Sequence, residues 1–209
     1  RGRGCDTPGR DPDAAGDDRG TRAAERGGGS VRRGSGQNLL GGVGTAGLES
    51  AETLPDVARL FCPVGGGTSA AGYCLTVGAL TDADVVGVQS AAAPAMHRAY
   101  HEDTLEPHDR METRAEGVAT RVPFALTMGI LRDHLTDFRL VDESDIEDGV
   151  ARLFTEERIV MEGACATSVA AALDAGEDIA GETVVIPVSG RNIDLEKLQS
   201  LCRVYDPAE

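Results

Sequence analysis

Residues 60–69 read LFCPVGGGTS, a short apolar run that ends in three consecutive glycines. The apolar run predicts a buried strand, and the Ala-rich segment 69–80 that follows predicts a helix. Consecutive glycines cost backbone entropy, so a chain keeps them where the backbone bends sharply or approaches a ligand closely. Between a strand and a helix they expose N–H groups at the positive end of the helix, which suits a phosphate. The alternative is a tight turn that binds nothing.

The segments around this loop predict the fold. Residues 84–89, DVVGVQ, read as the next buried strand, and the order strand, loop, helix, strand indicates a parallel sheet. Strands are also expected over 138–141 and 183–188, and helices over 48–54, after Pro123, from about residue 144 and over 163–175 and 195–202. Asp142 or Ser144 is expected to cap the helix near residue 144, and Ser144-x-x-Glu147 has the capping-box form. We therefore predict an α/β fold with a mostly parallel sheet flanked by helices.

A second loop follows the predicted strand 183–188. It reads SGRNID over residues 189–194 and begins with Ser189. The hydroxyl of Ser189 could hold the other end of a ligand whose phosphate lies on the glycine loop. The alternative is a serine that ends a strand and bonds to its own backbone.

The composition argues against two classes of binding partner and indicates a cellular compartment. The chain has 209 residues, 41% of them hydrophobic, and a net charge of −15, which argues against nucleic acid and against anionic membrane surfaces. Its five cysteines are odd in number and never form C-x-x-C, so a reducing, cytoplasmic location is expected. No apolar stretch approaches the roughly 20 residues of a membrane span, and no signal peptide is recognised.

Residues 1–37 differ from the remainder, and we divide the chain into this tail and an α/β domain over 38–209. Residues 1–36 hold ten glycines and eight arginines, and too little apolar surface to offset the entropy of ordering, so the tail is predicted to be disordered. Three interpretations stay open: an Arg-Gly tail for nucleic acid, which six acidic residues disfavour, a solvated tail, and a frameshifted or wrongly started segment. We favour the last as a hypothesis.

Residues 42–47, GVGTAG, match the dinucleotide fingerprint G-x-G-x-x-G. That fingerprint requires a buried strand before it, and residues 37–40 are too short and polar for one. Nucleotide binding is therefore the less favoured interpretation of this segment.

Taken in order, these motifs resemble the pyridoxal-phosphate lyases of the threonine dehydratase and serine racemase family, of fold type II. The resemblance covers about residues 38–200 and implies that this chain forms most of the large domain, as the C-terminal half of such an enzyme. Residues 42–49 are similar to the family's GQGT-x-x-x-E element. The family has a cofactor-binding lysine in a Ser-x-Lys motif upstream of the glycine loop. This sequence contains one lysine, Lys197, and no such motif, so we assign no catalytic residue.

The resemblance assigns roles to residues of both loops. Gly65, Gly66 and Gly67 would bind the phosphate of pyridoxal 5'-phosphate. Thr68 stands where the family has a fourth glycine, and could add its hydroxyl to the phosphate or merely cap the helix. Ser189 would hydrogen-bond the pyridine nitrogen of the cofactor.

Two further segments are implied to border the pocket. Glu162-Gly163 and Glu116-Gly117 match family elements there, although Glu162 could simply be a helix N-cap. The family's divalent-metal site has carboxylates near the position of Gln89, and these are missing here, so no metal is expected. His97 and His101 could face one way on a helix as zinc ligands do, but they lack a well-spaced third ligand.

The resemblance implies an enzyme that eliminates water from L-threonine or L-serine, an amino-acid substrate and possible homo-oligomers. Without the lysine, the chain alone is expected to be inactive. One alternative is a non-catalytic paralogue that binds the cofactor or a partner. Another is an unrelated nucleotide-binding domain.

Overall fold

The computed structural model describes residues 36–205, apart from the side chain of Gln37. The predicted tail and its disorder therefore lie outside the described residues, except for its last two positions. The helices are α1 (Gly36–Thr53), α2 (Thr68–Leu80), α3 (Ala95–Glu102), α4 (Ala125–His134), α5 (Glu143–Glu157), α6 (Gly163–Ala175) and α7 (Leu195–Val204). The strands are β1 (Arg59–Pro63), β2 (Asp84–Ser90), β3 (Asp137–Val141) and β4 (Val184–Val185).

The four strands form one parallel sheet in the order β3-β2-β1-β4. Alternate side chains of the sheet enter two hydrophobic cores. Phe61, Val86 and Val88 pack with α5, α6 and α7, whereas Leu60 and Val85 pack with α2 and α4. Burial on both faces explains why these strands read as continuous apolar runs. The prediction of an α/β fold with a parallel sheet flanked by helices is confirmed.

The prediction for the last strand is wrong in length. It was expected over 183–188, but only Val184 and Val185 pair with β1. β4 is an edge strand, and its side chains are only half-buried. Val184, Ile186 and Val188 still contact one core while Val185 contacts the other, so the backbone keeps the alternation of a strand beyond its two paired residues.

The first helix is also longer than predicted. It begins at Gly36 rather than Leu48, and the G-x-G-x-x-G match lies in its interior. A Cβ on Gly44 would stand 3.3 Å from Cγ2 of Thr76, and one on Gly72 would stand 3.1 Å from the backbone N of Gly44. These glycines let α1 and α2 cross closely. The dinucleotide interpretation is therefore wrong, because the segment is not a loop after a strand.

The start of α5 differs in part from its prediction. Of the two expected capping residues, Asp142 is the N-cap, without a side-chain hydrogen bond. The capping box does not form, because the Ser144 hydroxyl donates to Asp145 at 3.4 Å. None of the helices within residues 36–205 has the length and apolarity that a membrane span requires.

Candidate cofactor site

The glycine loop bends between β1 and α2 as the sequence predicts. The N–H of Val64 still donates to the carbonyl of Val88 at 2.8 Å, and α2 begins at Thr68. Between them Gly67 has φ +83°, in the left-handed region. A Cβ at this position would stand 3.1 Å from Cε of Met96 and 3.1 Å from Oγ1 of Thr127. The left-handed conformation and the tight packing therefore both favour glycine here.

The first turn of α2 offers free backbone donors. The carbonyl of Gly67 accepts the first helical bond, from Ala71 at 2.9 Å. The N–H groups of Thr68, Ser69 and Ala70 precede it and have no acceptor within the helix. The N-cap residue, Gly67, has no side chain that could accept from these groups, and the first turn carries no acidic residue. These donors lie at the positive end of the helix dipole, where an anion is stabilised.

The start of α4 supports this loop from one side. Thr127 is buried, and its hydroxyl donates to the carbonyl of Gly66 at 2.8 Å. The ring of Phe124 lies 3.2 Å from the place where a Cβ of Gly66 would stand. The sequence motifs predict a role for neither residue. The signal for Thr127 is a threonine among the buried, otherwise apolar positions of α4.

A chain of close contacts joins the glycine loop to the loop of Ser189. The carbonyl of Gly117 occupies the space that a side chain on Gly65 would need. A Cβ on Gly117 would in turn stand 3.1 Å from Oε1 of Glu162. The carboxylate of Glu162 fills the place of a side chain on Gly190, and its backbone N–H donates to the carbonyl of Gly190 at 3.1 Å. The two segments singled out from sequence are therefore linked through Gly117 and Glu162.

Glu162 also orders the loop after Ser189. Its Oε2 accepts a hydrogen bond from the N–H of Asn192 at 3.1 Å. Its carbonyl accepts from Cys165 and Ala166 at the start of α6, of which it is the N-cap. Glu162 therefore holds the N-cap position of α6 by its backbone, while its side chain makes no capping bond to the helix and bonds to the loop after Ser189 instead. In the Glu116-Gly117 segment only the glycine makes such contacts, while Glu116 is exposed.

Ser189 follows β4 as the glycine loop follows β1. Leu60 pairs with Val185, and four residues further along the chain from this pair come Val64 and Ser189, both beyond the ends of their strands. The carboxyl ends of parallel strands share one edge of a sheet, where ligands of α/β proteins bind. Ser189 is exposed, so its hydroxyl is accessible to a ligand.

The segment that resembles the family's metal site is differently built. Gln89 is fully buried, and its Oε1 accepts from the N–H groups of Met96 and His97 at 3.1 and 3.0 Å. It thereby caps the start of α3. Burial and the neighbouring His101 lower the pKa of His97, and the two rings lie 4.3 Å apart. Across residues 36–205, no three or more His, Cys, Asp or Glu side chains converge as metal ligands would.

The single lysine lies outside the glycine loop. Lys197 is on α7, and its Nζ donates to the carbonyl of Arg114 at 3.1 Å. None of the contacts that shape residues 65–67 involves it.

Comparison with known proteins now identifies the family. A family model described as "Pyridoxal-phosphate dependent enzyme" matches residues 7–190, well over half of the chain. This chain belongs to the pyridoxal-phosphate-dependent enzyme family. An L-threonine ammonia-lyase of Thermotoga maritima is 33% identical over 165 residues, which are 78% of this chain and 41% of that protein.

Solved structures of this enzyme family have the same fold. Threonine deaminase isoform 2 of Solanum lycopersicum, in its processed form, superposes with a TM-score of 0.73 at 28% identity, over 78% of this chain and 49% of that one. Serine racemase of Dictyostelium discoideum gives a TM-score of 0.68 at 30% identity, over 75% and 50%. The resemblance to threonine dehydratases and serine racemases, inferred from the motifs, is confirmed. The chain spans about half the length of the relatives it matches.

Proposed function

We propose that this chain is the cofactor-binding part of an enzyme that eliminates water from L-threonine or L-serine. The first turn of α2, with residues 65–68, would hold the phosphate of pyridoxal 5'-phosphate, and Ser189 would face its pyridine nitrogen. The observation that carries the proposal is the contact chain from Gly65 through Gly117 and Glu162 to Gly190. It joins a phosphate-type loop to the loop of the expected ring partner.

The residues present fit the phosphate of this cofactor. Residues 65–67 of the loop carry no side chains of their own. The helix that follows presents three N–H groups without helical acceptors, and its first turn carries no carboxylate. Thr68 is partly exposed at the first helical position, so its hydroxyl can reach an anion bound to these amides. When bound, the cofactor would supply the electron sink for elimination.

The protein's own part is to bind and orient the cofactor. Backbone donors at 65–70 need no reorganisation to meet an anion, because Gly67 and Thr127 already hold the loop in place. A neutral serine at position 189 would leave the pyridine nitrogen largely unprotonated, which would suit a reaction whose leaving group takes the electrons. No amine is assigned to the chemistry, since Lys197 bonds to Arg114. We therefore infer that the chain by itself binds the cofactor and does not release 2-oxobutanoate from threonine.

Binding of the cofactor tests this proposal. Equilibrium dialysis of the purified chain with pyridoxal 5'-phosphate should show one site, and borohydride treatment before denaturation should leave the cofactor removable. Ser189→Ala should weaken binding and change the absorbance of the bound cofactor. Ser200→Ala is the matched control, since its hydroxyl bonds within α7. No binding by the folded chain, or threonine-dependent 2-oxobutanoate release by a sample free of host enzymes, would overturn the proposal.

The alternative of a non-catalytic binding paralogue shares this site. It makes the same prediction for cofactor binding by this chain, and differs only in whether the complete protein reacts with an amino acid.

We also infer a cytoplasmic location, because Cys62, Cys74 and Cys165 are buried free thiols. Association into homo-oligomers, and no binding to nucleic acid or membranes, remain our predictions.

A further inference from the structure

A single carboxylate, that of Glu143, collects several hydrogen bonds at the end of β2. Ser90, the last residue of β2, is fully buried. Its hydroxyl donates to Oε1 of Glu143, the first residue of α5, at 2.6 Å, and accepts from the N–H of Ala92 at 3.0 Å. Glu143 is thus anchored to the sheet, and its side chain is only 19% exposed.

The same carboxylate holds the segment that precedes Gly117. Oε1 of Glu143 also accepts from the hydroxyl of Thr113 at 2.6 Å, and Oε2 accepts from the N–H of Arg114 at 2.8 Å. The Thr113 hydroxyl itself accepts from the N–H of Ala115 at 3.1 Å. One side chain therefore orders three consecutive residues that belong to no helix or strand.

These three residues lead directly into the contacts of the candidate site. Ala115 is buried, and its Cβ lies 3.1 Å from where a Cβ of Gly163 would stand. Two residues later the carbonyl of Gly117 packs on Gly65. A shift of the segment at Thr113–Ala115 would therefore move the backbone that borders the glycine loop.

We propose that Glu143 is a positioning residue of the cofactor site, which clamps residues 113–115 so that Gly117 stays against Gly65. The expected effect on cofactor affinity rests on the proposed function. The ordering of residues 113–115 by Glu143 does not depend on it.

The chemistry of these hydrogen bonds requires a carboxylate. Ser90, Thr113 and the Arg114 backbone all donate, and an ionised carboxylate only accepts. Although burial raises it, hydrogen bonds from these three groups lower the pKa of Glu143 overall, so the side chain is ionised at neutral pH. A glutamine at this position would place its NH₂ group, which can only donate, against groups that also donate.

The test compares Glu143→Gln, Thr113→Val and Thr113→Ser for affinity toward pyridoxal 5'-phosphate and for hydrogen exchange over residues 113–118. Glu143→Gln and Thr113→Val should weaken cofactor binding about tenfold, the effect of losing about 1.4 kcal/mol of hydrogen bonding. Amides of the segment should exchange faster, while those of β2 stay protected. Thr113→Ser keeps the hydroxyl and should restore both properties. Glu147→Gln is the control, because Glu147 pairs with the Arg114 guanidinium at 2.8 Å but not with its backbone.

The outcomes separate the two proposals. If the wild-type chain binds no cofactor, the proposed function fails, and exchange alone decides whether Glu143 orders the segment. If Glu143→Gln does not fold, the comparison of Thr113→Val with Thr113→Ser decides whether the segment is held as proposed. Two results would overturn the positioning role. One is hydrogen exchange over residues 113–118 in Thr113→Val at the same rate as in the wild type. The other is a folded Glu143→Gln variant whose cofactor affinity lies within twofold of the wild type.

Discussion

The carboxylate of Glu162 occupies the space that a side chain on residue 190 would need, so Gly190 and Glu162 are fitted to each other. The same carboxylate accepts the N–H of Asn192 at 3.1 Å. This pair ties the loop that follows β4 to the start of α6. It therefore sets where Ser189, the neighbour of Gly190, is presented.

Gly190→Ala should displace Glu162 and weaken binding of pyridoxal 5'-phosphate about tenfold or more, because the bond to Asn192 is lost and the Ser189 loop shifts. Fluorescence titration with the cofactor measures this. Gly129→Ala is the matched control, since a Cβ there meets nothing within 4 Å in α4. Equal affinities of the two variants would contradict the assigned role of Glu162.

Gly67→Ala should lower the free energy of unfolding by about 1–2 kcal/mol, the cost of a left-handed conformation for a residue with a Cβ. Contacts of 3.1 Å with Met96 and Thr127 add to that cost. Urea denaturation measures it. Gly78→Ala, in the same loop-and-helix unit, meets only Val85 at 3.5 Å, and should stabilise the chain by about 0.5–1 kcal/mol. A stabilised Gly67→Ala would show that the loop conformation is wrong.

Thr127→Val should remove the hydrogen bond to the Gly66 carbonyl and leave its shape nearly unchanged. We expect a loss of about 1 kcal/mol of stability together with weaker cofactor binding, because the loop loses its buried anchor. Thr127→Ser keeps the donor and should bind like the wild type. If Val and Ser variants bind alike, the hydroxyl does not hold the loop.

The local structure of the glycine loop was predictable from sequence because its signals are local. The three glycines after an apolar run predicted the strand, the bend and the start of α2. The length of β4 was not predictable, since pairing at a sheet edge depends on what lies beside it rather than on apolar content. The G-x-G-x-x-G match is ambiguous from sequence, because close helix crossing and phosphate binding both select glycine. Thr127 and Glu143 act through contacts distant in sequence, which no spacing reveals.

The buried thiols should be inert in the folded chain. Burial raises the pKa of Cys74 to about 12, and burial raises the pKa of Cys62 well above its usual range. A thiol reagent at pH 8 should therefore modify Cys202, which is half-buried, long before these two. Cys5 lies outside the described residues, so a Cys5→Ser variant is used to count the rapidly modified thiols among the other four. Fast modification of Cys62 under native conditions would contradict the packing of β1.

The clamp at Glu143 should show in the pH dependence of stability. Its folded-state pKa is below the ordinary value of 4.5, so the ionised group stabilises the fold above that value. This contribution is lost as the pH falls through the folded-state pKa. The difference in free energy of unfolding between wild type and Glu143→Gln should be constant from about pH 6 to 8 and shrink below about 4.5. A difference that stays constant down to about pH 3 would refute the assigned ionisation.

A crystal structure of the chain soaked with pyridoxal 5'-phosphate is the most direct measurement. The account predicts phosphate oxygens about 3 Å from backbone N–H groups of residues 65–70, with the pyridine nitrogen beside the hydroxyl of Ser189. Cofactor density elsewhere, with the first turn of α2 left to solvent, would contradict it.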